Sequence, residues 1–190
     1  MAAWEWSRMK PFTDTIPKPL TQICGKTIIE HNIEWITEYF DEIFMIVKYK
    51  SECFREYFWD NYQWKKIHYI EQWETSGTGA AILSLDGHID GEFIIVSGDD
   101  LYDEADIIKL IKKPGYATLC KRVDNPELFG IFTCDASGKA TWIIEKPTDP
   151  ITGNLANIGN HKLDSQIFEI LSHIPLSPRW ELEITDLIDI

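Results

Sequence analysis

Isoleucines 28, 29, 33 and 36 recur at helical spacing within TIIEHNIEWITEY, so residues 27–39 are expected to form a helix with one apolar stripe. EIFMIVKY (42–49) is short and rich in β-branched and aromatic residues, which reads as a buried strand. The chain then alternates. KSECFREYF (50–58) is predicted helical, KKIHYIEQ (65–72) a strand, and TGAAILSL (78–85) a helix after a glycine-containing loop. EFIIVSGDD (92–100) is an almost unbroken apolar run closed by Gly98, Asp99 and Asp100. In DEADIIKLIKK (103–113) acids open the segment and lysines close it, the order a helix dipole favours. Strand-like runs follow at 116–122, 129–134 and 140–145, then a turn-rich segment at 148–154. Residues 164–174 read as helix, and ELEITDLIDI as the beginning of another.

Strands alternating with helices predict an α/β protein: a three-layer, mainly parallel, Rossmann-like sheet. With no internal repeat, low-complexity tract or linker, residues 1–190 are expected to form a single domain. Ligands of open α/β sheets bind at the carboxyl ends of strands, so the acids of VSGDD stand where a substrate and a metal would sit. A plain turn that happens to use Gly and Asp is the competing reading.

Composition narrows the function classes. Hydrophobic residues make up 44% and charged residues 26% of 190, as in soluble globular chains. No apolar run approaches the roughly 20 residues that span a bilayer. Charged residues from Glu5 onward break any signal-peptide pattern, so a cytoplasmic protein without membrane partners is expected. The net charge of −13 argues against a nucleic-acid surface. It leaves room for a nucleotide, because Arg8, Lys10 and Lys18 cluster near the first loop. The four cysteines form no CxxC pair, and the five histidines show no zinc-ligand spacing.

The opening segment AAWEWSRMKPFTDTIPKPLTQICGKTIIEH resembles the signature of the sugar-1-phosphate nucleotidyltransferases, the NDP-sugar pyrophosphorylases. The resemblance continues in HYIEQWETSGTGAAIL, VSGDDLY, LFGIFTCDASGKATWIIEKP, LANIGNHKLDSQIFEIL and SPRWELEITDLI, six motifs in family order across nearly the whole chain. It implies a GT-A-type catalytic domain that joins an NTP to a sugar 1-phosphate, releasing pyrophosphate, with Mg²⁺ as cofactor. UTP or dTTP with glucose 1-phosphate or an N-acetylhexosamine 1-phosphate fits best, and a homo-oligomer is compatible with the family. Set against relatives, the chain is expected to lack most of the first central strand and a later segment with a second acidic metal ligand.

The same resemblance assigns roles residue by residue. Arg8, Lys18 and Asp99 would be catalytic: the two cations grip phosphates and Asp99 holds the metal, with Asp100 beside it. Ala3, positions 4 and 6, Gln72, Gly77 and Thr78 would bind the nucleotide. Gly130, Glu145, Lys146, Asn157 and Gly159 would bind the sugar phosphate. Asp186 is expected to be structural. Solvated surface roles for Arg8, for Gln72 and for a Glu145–Lys146 ion pair are the plainer alternatives.

One feature departs from the pattern. Trp4 and Trp6 fall on the signature's glycines, where backbone N–H groups would approach phosphate, and Trp180 falls on the glycine of RGE. Trp59, Trp64 and Trp73 also occupy glycine-like positions, whereas Trp35 suits its helix. A single cause would cover all six: UGA codons that mean glycine in some bacterial lineages, translated as tryptophan. If the tryptophans are genuine, they would fill the triphosphate site and favour a non-catalytic, ligand-sensing or assembly module. A glycosyltransferase of the same architecture leaves RMKPFTD…PKP unexplained, and a dinucleotide-binding oxidoreductase lacks a GxGxxG after a strand.

Overall fold

The computed structural model describes residues 1–2, 9–72, 76–148, 153–177 and 180–185. In chain order its elements begin with β1 (Gln22–Ile23), β2 (Lys26–Thr27), α1 (Ile28–Ile36), β3 (Glu42–Val47), α2 (Ser51–Phe58), β4 (Asn61–Tyr62) and β5 (Lys65–Glu71). There follow α3 (Thr78–Leu83), β6 (Glu92–Ile95), α4 (Glu104–Lys112) and β7 (Ala117–Arg122). The last are β8 (Gly130–Cys134), β9 (Ala140–Glu145), β10 (Leu155–Asp164) and α5 (Gln166–His173). They sort into two compact units, Met1–Trp73 with Val96–Lys112 and Glu74–Ile95 with Lys113–Ile190.

In the first unit α1 starts where it does because Thr27 and Glu30 cap it reciprocally. The Glu30 amide donates to Thr27 Oγ1 (3.2 Å) and the Thr27 amide to Glu30 Oε2 (2.7 Å). Its isoleucine stripe, Ile29 and Ile33, packs with Met45, Val47, Phe54 and Ile67 in one core. β3 and β5 pair in parallel from Glu42–Lys66 to Val47–Glu71, with α2 as the crossover, and β4 closes back on β5 antiparallel. The Ala2 amide donates to the Ile46 carbonyl (2.9 Å). Met1 and the segment 96–98 exchange bonds as parallel strands do: Met1 N to the Val96 carbonyl (2.7 Å), and the Gly98 amide to the Met1 carbonyl (2.9 Å).

The second unit is a five-stranded antiparallel sheet. β10 lies at its centre, paired with β6, β7 and β8, and β9 pairs with β8. Helix α5 covers it with Ile167, Phe168 and Leu171, the Phe168 ring stacking on Phe93 of β6 at 5.6 Å.

The α/β class expected from the sequence is present, and the helices and strands expected between residues 27 and 174 form with small shifts at their ends. The strand pairing is mixed rather than mainly parallel. Parallel neighbours need a long crossover, yet no α-helix separates β7, β8, β9 and β10, and a five-residue turn joins β8 to β9. The sequence reading also missed β10. LANIGNHKLD has no apolar alternation because the sheet buries its polar residues: Asn160 and His161 are buried, and Lys162 donates to the Lys113 carbonyl (2.9 Å) and pairs with Glu92 (3.1 Å). Where a C-terminal helix was expected, Glu181 forms a single parallel bridge with Ser76, Ile184 and Thr185 enter a 3₁₀ turn, and residues 186–190, with Asp186, lie outside the described residues. Among the described residues no helix is long and apolar enough to cross a membrane.

Candidate active site

In the first unit two of the expected catalytic residues meet. Pro17 and Pro19 hold Lys18 in a single 3₁₀ turn, Lys18–Leu20, whose Pro19 and Leu20 are buried and anchor it. The Lys18 Nζ then lies 3.3 Å from Asp99 Oδ2 and 3.9 Å from Asp100 Oδ1. The Lys18 and Asp99 side chains are only 22% and 26% exposed, so their attraction is screened less than that of a surface pair. Ser97 Oγ donates to the other oxygen, Asp99 Oδ1 (2.7 Å), which fixes the carboxylate's orientation. Burial pushes the Met1 ammonium down to about 6, and the nearby Asp99 carboxylate pulls the other way.

Why the acids stand there is a matter of backbone packing. A Cβ on Gly98 would come 2.9 Å from the Met1 carbonyl oxygen, so only glycine lets these two backbones run side by side. Beyond it, the Asn32 side-chain amide of α1 donates to the Asp100 carbonyl (2.7 Å) and the Ser97 carbonyl (3.2 Å). Asn32 and Ser97 thus position Asp99, and neither was singled out from the sequence. The signal for Asn32 was legible: a polar residue on the isoleucine face of an amphipathic helix needs a buried partner.

Among the described residues no three His, Cys, Asp or Glu side chains gather as a metal cage. Asp99 with Asp100 offers one or two carboxylates, which suits Mg²⁺, an ion that usually takes one or two protein oxygens and completes its shell with water and phosphate.

In the second unit the expected sugar-phosphate residues gather by strand register. Gly130 pairs with Glu145 across β8 and β9, and a Cβ on Gly130 would come 3.0 Å from Glu145 Oε2. Glu145 Oε1 lies 3.3 Å from the Lys146 Nζ, so the plain ion pair is present as well. Lys146 itself has φ +46°, a left-handed backbone that non-glycine residues seldom adopt outside constrained sites. β8 and β10 pair at Ile131–Ala156, and Gly130 and Asn157 are the chain neighbours of that pair. The Asn157 Oδ1 accepts from the Gly159 amide (2.9 Å) at an irregularity in β10, with Gly159 at φ +78°.

The expected nucleotide residues fare differently. Gln72 follows β5, its amide donating to the Val47 carbonyl (3.0 Å). Gly77 precedes α3 at φ +110°, where a Cβ would collide with the Leu182 carbonyl oxygen. Thr78 Oγ1 donates to Glu183 Oε2 (2.9 Å) and accepts the Ile184 amide (3.0 Å), so its hydroxyl ties α3 to the segment at 182–184. Ala3, Trp4, Trp6 and Arg8 lie outside the described residues. The apolar groove lined by Met9, Phe12, Ile16, Cys53 and Tyr57 contains none of the expected site residues.

The family model described as nucleotidyl transferase matches residues 1–190. The bifunctional protein GlmU of Methanocaldococcus jannaschii is 38% identical over 188 residues, 99% of this chain but 45% of that protein, so the chain spans about half the length of such relatives. The UTP–glucose-1-phosphate uridylyltransferase AglF of Haloferax volcanii is 29% identical, across 100% of this chain and 81% of its own length. A solved UDP-glucose pyrophosphorylase in complex with UDP-glucose superposes with a TM-score of 0.84 at 25% identity, covering 98% of this chain and 83% of that one.

Proposed function

The chain belongs to the nucleotidyl transferase family, and from that premise we propose that it transfers a nucleotidyl group from an NTP to a sugar 1-phosphate, with release of pyrophosphate. The observation that carries the proposal is the Lys18–Asp99 pair, an ammonium and a carboxylate held 3.3 Å apart by two separate segments. Together they fit a phosphate with its counter-ion: Lys18 would turn from Asp99 Oδ2 to the anion, and the carboxylate would then face a hard cation.

In this reading the attacking group is a phosphate oxygen of the sugar 1-phosphate and the leaving group is pyrophosphate, so no protein nucleophile is required. The protein positions two anions and offsets their charge. Asp99, with Asp100 beside it, would hold Mg²⁺, which supplies charge neutralisation on the phosphates. Lys18 and Arg8 bind the triphosphate, with backbone donors at positions 3, 4 and 6 and base contacts at Gln72, Gly77 and Thr78. Glu145 accepts hydroxyls of the sugar, Lys146 meets its phosphate, and Gly130, Asn157 and Gly159 shape that pocket. UTP or dTTP with glucose 1-phosphate or an N-acetylhexosamine 1-phosphate are the substrates to test first, and the reaction belongs in the cytoplasm.

The test is pyrophosphate release across a matrix of NTPs and sugar 1-phosphates, with and without Mg²⁺. One pair is expected to turn over only with the metal, and Asp99→Asn to lower kcat/KM at least about 100-fold. Turnover unchanged in Asp99→Asn would remove Asp99 from the site.

A further inference from the structure

We infer that tryptophans 59, 64 and 180 stand at positions built for glycine, and that the protein as its own cell makes it carries glycine there. Five of the eight tryptophans lie in the described residues, since 4, 6 and 73 do not. Trp35 in α1 and Trp142 in β9 have ordinary backbones. The other three all have positive φ: +57° at Trp59, +67° at Trp64 and +61° at Trp180. A few per cent of non-glycine residues are expected there, and a bulky one is a genuine outlier.

Each site has its own reason to demand glycine. Trp59 ends α2 with φ +57° and ψ −127°, the mirror image of the β region, which the Cβ of an L-residue excludes and glycine enters freely. Trp64 is the second residue of a two-residue hairpin: Tyr62 pairs with Lys65, leaving Gln63 (φ +46°) and Trp64 (φ +67°) as the turn. Two positive φ values in succession define the type I′ turn, whose second position is the usual place of glycine in Asn-Gly hairpins. Trp180 sits where the chain turns back, its amide donating to the Ser177 carbonyl (2.8 Å). None of the three side chains is recruited into a core: they are 76%, 99% and 79% exposed. The fold uses these residues for their backbones alone.

Glycine and tryptophan meet at one codon. UGA is a stop in the standard code, glycine in some bacterial codes and tryptophan in others. A gene from the second kind of cell, read with the third table, would place tryptophan at a subset of its glycines and leave UGG tryptophans such as Trp35 untouched. Four other non-glycine residues share positive φ (Cys24, Lys50, Gln63 and Lys146), but none adds a bulky ring in open solvent to that strain. Extending the same cause to positions 4 and 6, where it would reopen the phosphate loop, rests on the nucleotidyl transfer reading; positions 59, 64 and 180 do not.

The experiment reads the codons and then the protein. Codons 59, 64 and 180 are expected to be UGA and codon 35 UGG, and peptides from the native source to carry the mass of glycine at the three positions. UGG codons, or tryptophan masses, overturn the proposal. Independently, Trp59→Gly, Trp64→Gly and Trp180→Gly should each raise the thermal midpoint, by about 2–4 °C for a chain of this size, whereas Trp35→Gly lowers it. A fall in all three glycine variants comparable to that of Trp35→Gly overturns it too. None of these readouts uses activity, so glycine masses with no nucleotidyl transfer would sink the functional reading and leave this one standing.

Discussion

Acidification should cost this fold stability in part through a single buried side chain, His161. It lies in the middle of β10, register partner of Ile95 on one side and Thr118 on the other, and is 5% exposed. Burial pushes its pKa from 6.5 down to about 4, since the interior disfavours the imidazolium. The sign follows directly. Between those two values the unfolded chain takes a proton that the folded chain refuses, so stability is complete above the unfolded value and falls as the pH drops through the window. At about 1.4 kcal/mol per pKa unit, the whole gap comes to about 3 kcal/mol below pH 4, with about 2 kcal/mol already lost at pH 5. Urea unfolding followed by circular dichroism at about pH 7.5 and 5 measures it. Carboxylates contribute to the same acid loss, so the comparison is with His161→Phe, which fills a similar volume and does not titrate. The variant should lose about 2 kcal/mol less than the parent between the two pH values. Equal losses would mean that His161 accepts its proton in the folded protein and is therefore solvated, contrary to its burial.

Further consequences can be measured on the same material. Gly77→Ala places a Cβ against the Leu182 carbonyl at φ +110°, and should destabilise by at least about 2 kcal/mol in urea unfolding. A neutral result would mean that residues 76–79 do not pack on 182 in solution. Asn32→Ala removes both side-chain bonds to the loop at 97–100. It should cost about 1–3 kcal/mol of stability and lower kcat/KM by roughly 10- to 100-fold, through displacement of Asp99 rather than loss of a catalytic group. Recovery of both in Asn32→Leu, which keeps a similar volume and cannot donate, would point to packing in place of those bonds.

Much of this architecture was legible because local and tertiary signals agree. The spacing of Ile28, Ile29 and Ile33 and the Thr27–Glu30 box name the same helix, and the apolar run before Gly98 leads into a buried backbone. Lys18 and Asp99, 81 residues apart, could be joined in advance only through the family resemblance; spacing alone gives no such distance. β10 was illegible because its buried polar side chains pay their way through long-range partners such as Lys113 and Glu92, which leave no periodic trace. Ser97 escaped for the same reason, its role being set by a carboxylate oxygen brought in by folding, whereas Asn32 on the isoleucine face signalled a buried polar partner but not which one. The hairpin of β8 and β9 could have been read: the strand-like runs at 129–134 and 140–145 are joined by a five-residue link, too short for a parallel crossover, whereas the pairing of β7 with β10 leaves no such local mark.

The central claim, that this chain moves a nucleotidyl group, is tested most directly by following label from both ends of the triphosphate. With the NTP labelled at its α-phosphate, the label should pass into the nucleotide sugar; with the label at the γ-phosphate, it should appear in pyrophosphate, in equal amount and only when sugar 1-phosphate is present. Label from the γ position released as orthophosphate, or α label that never joins the sugar, would contradict the account.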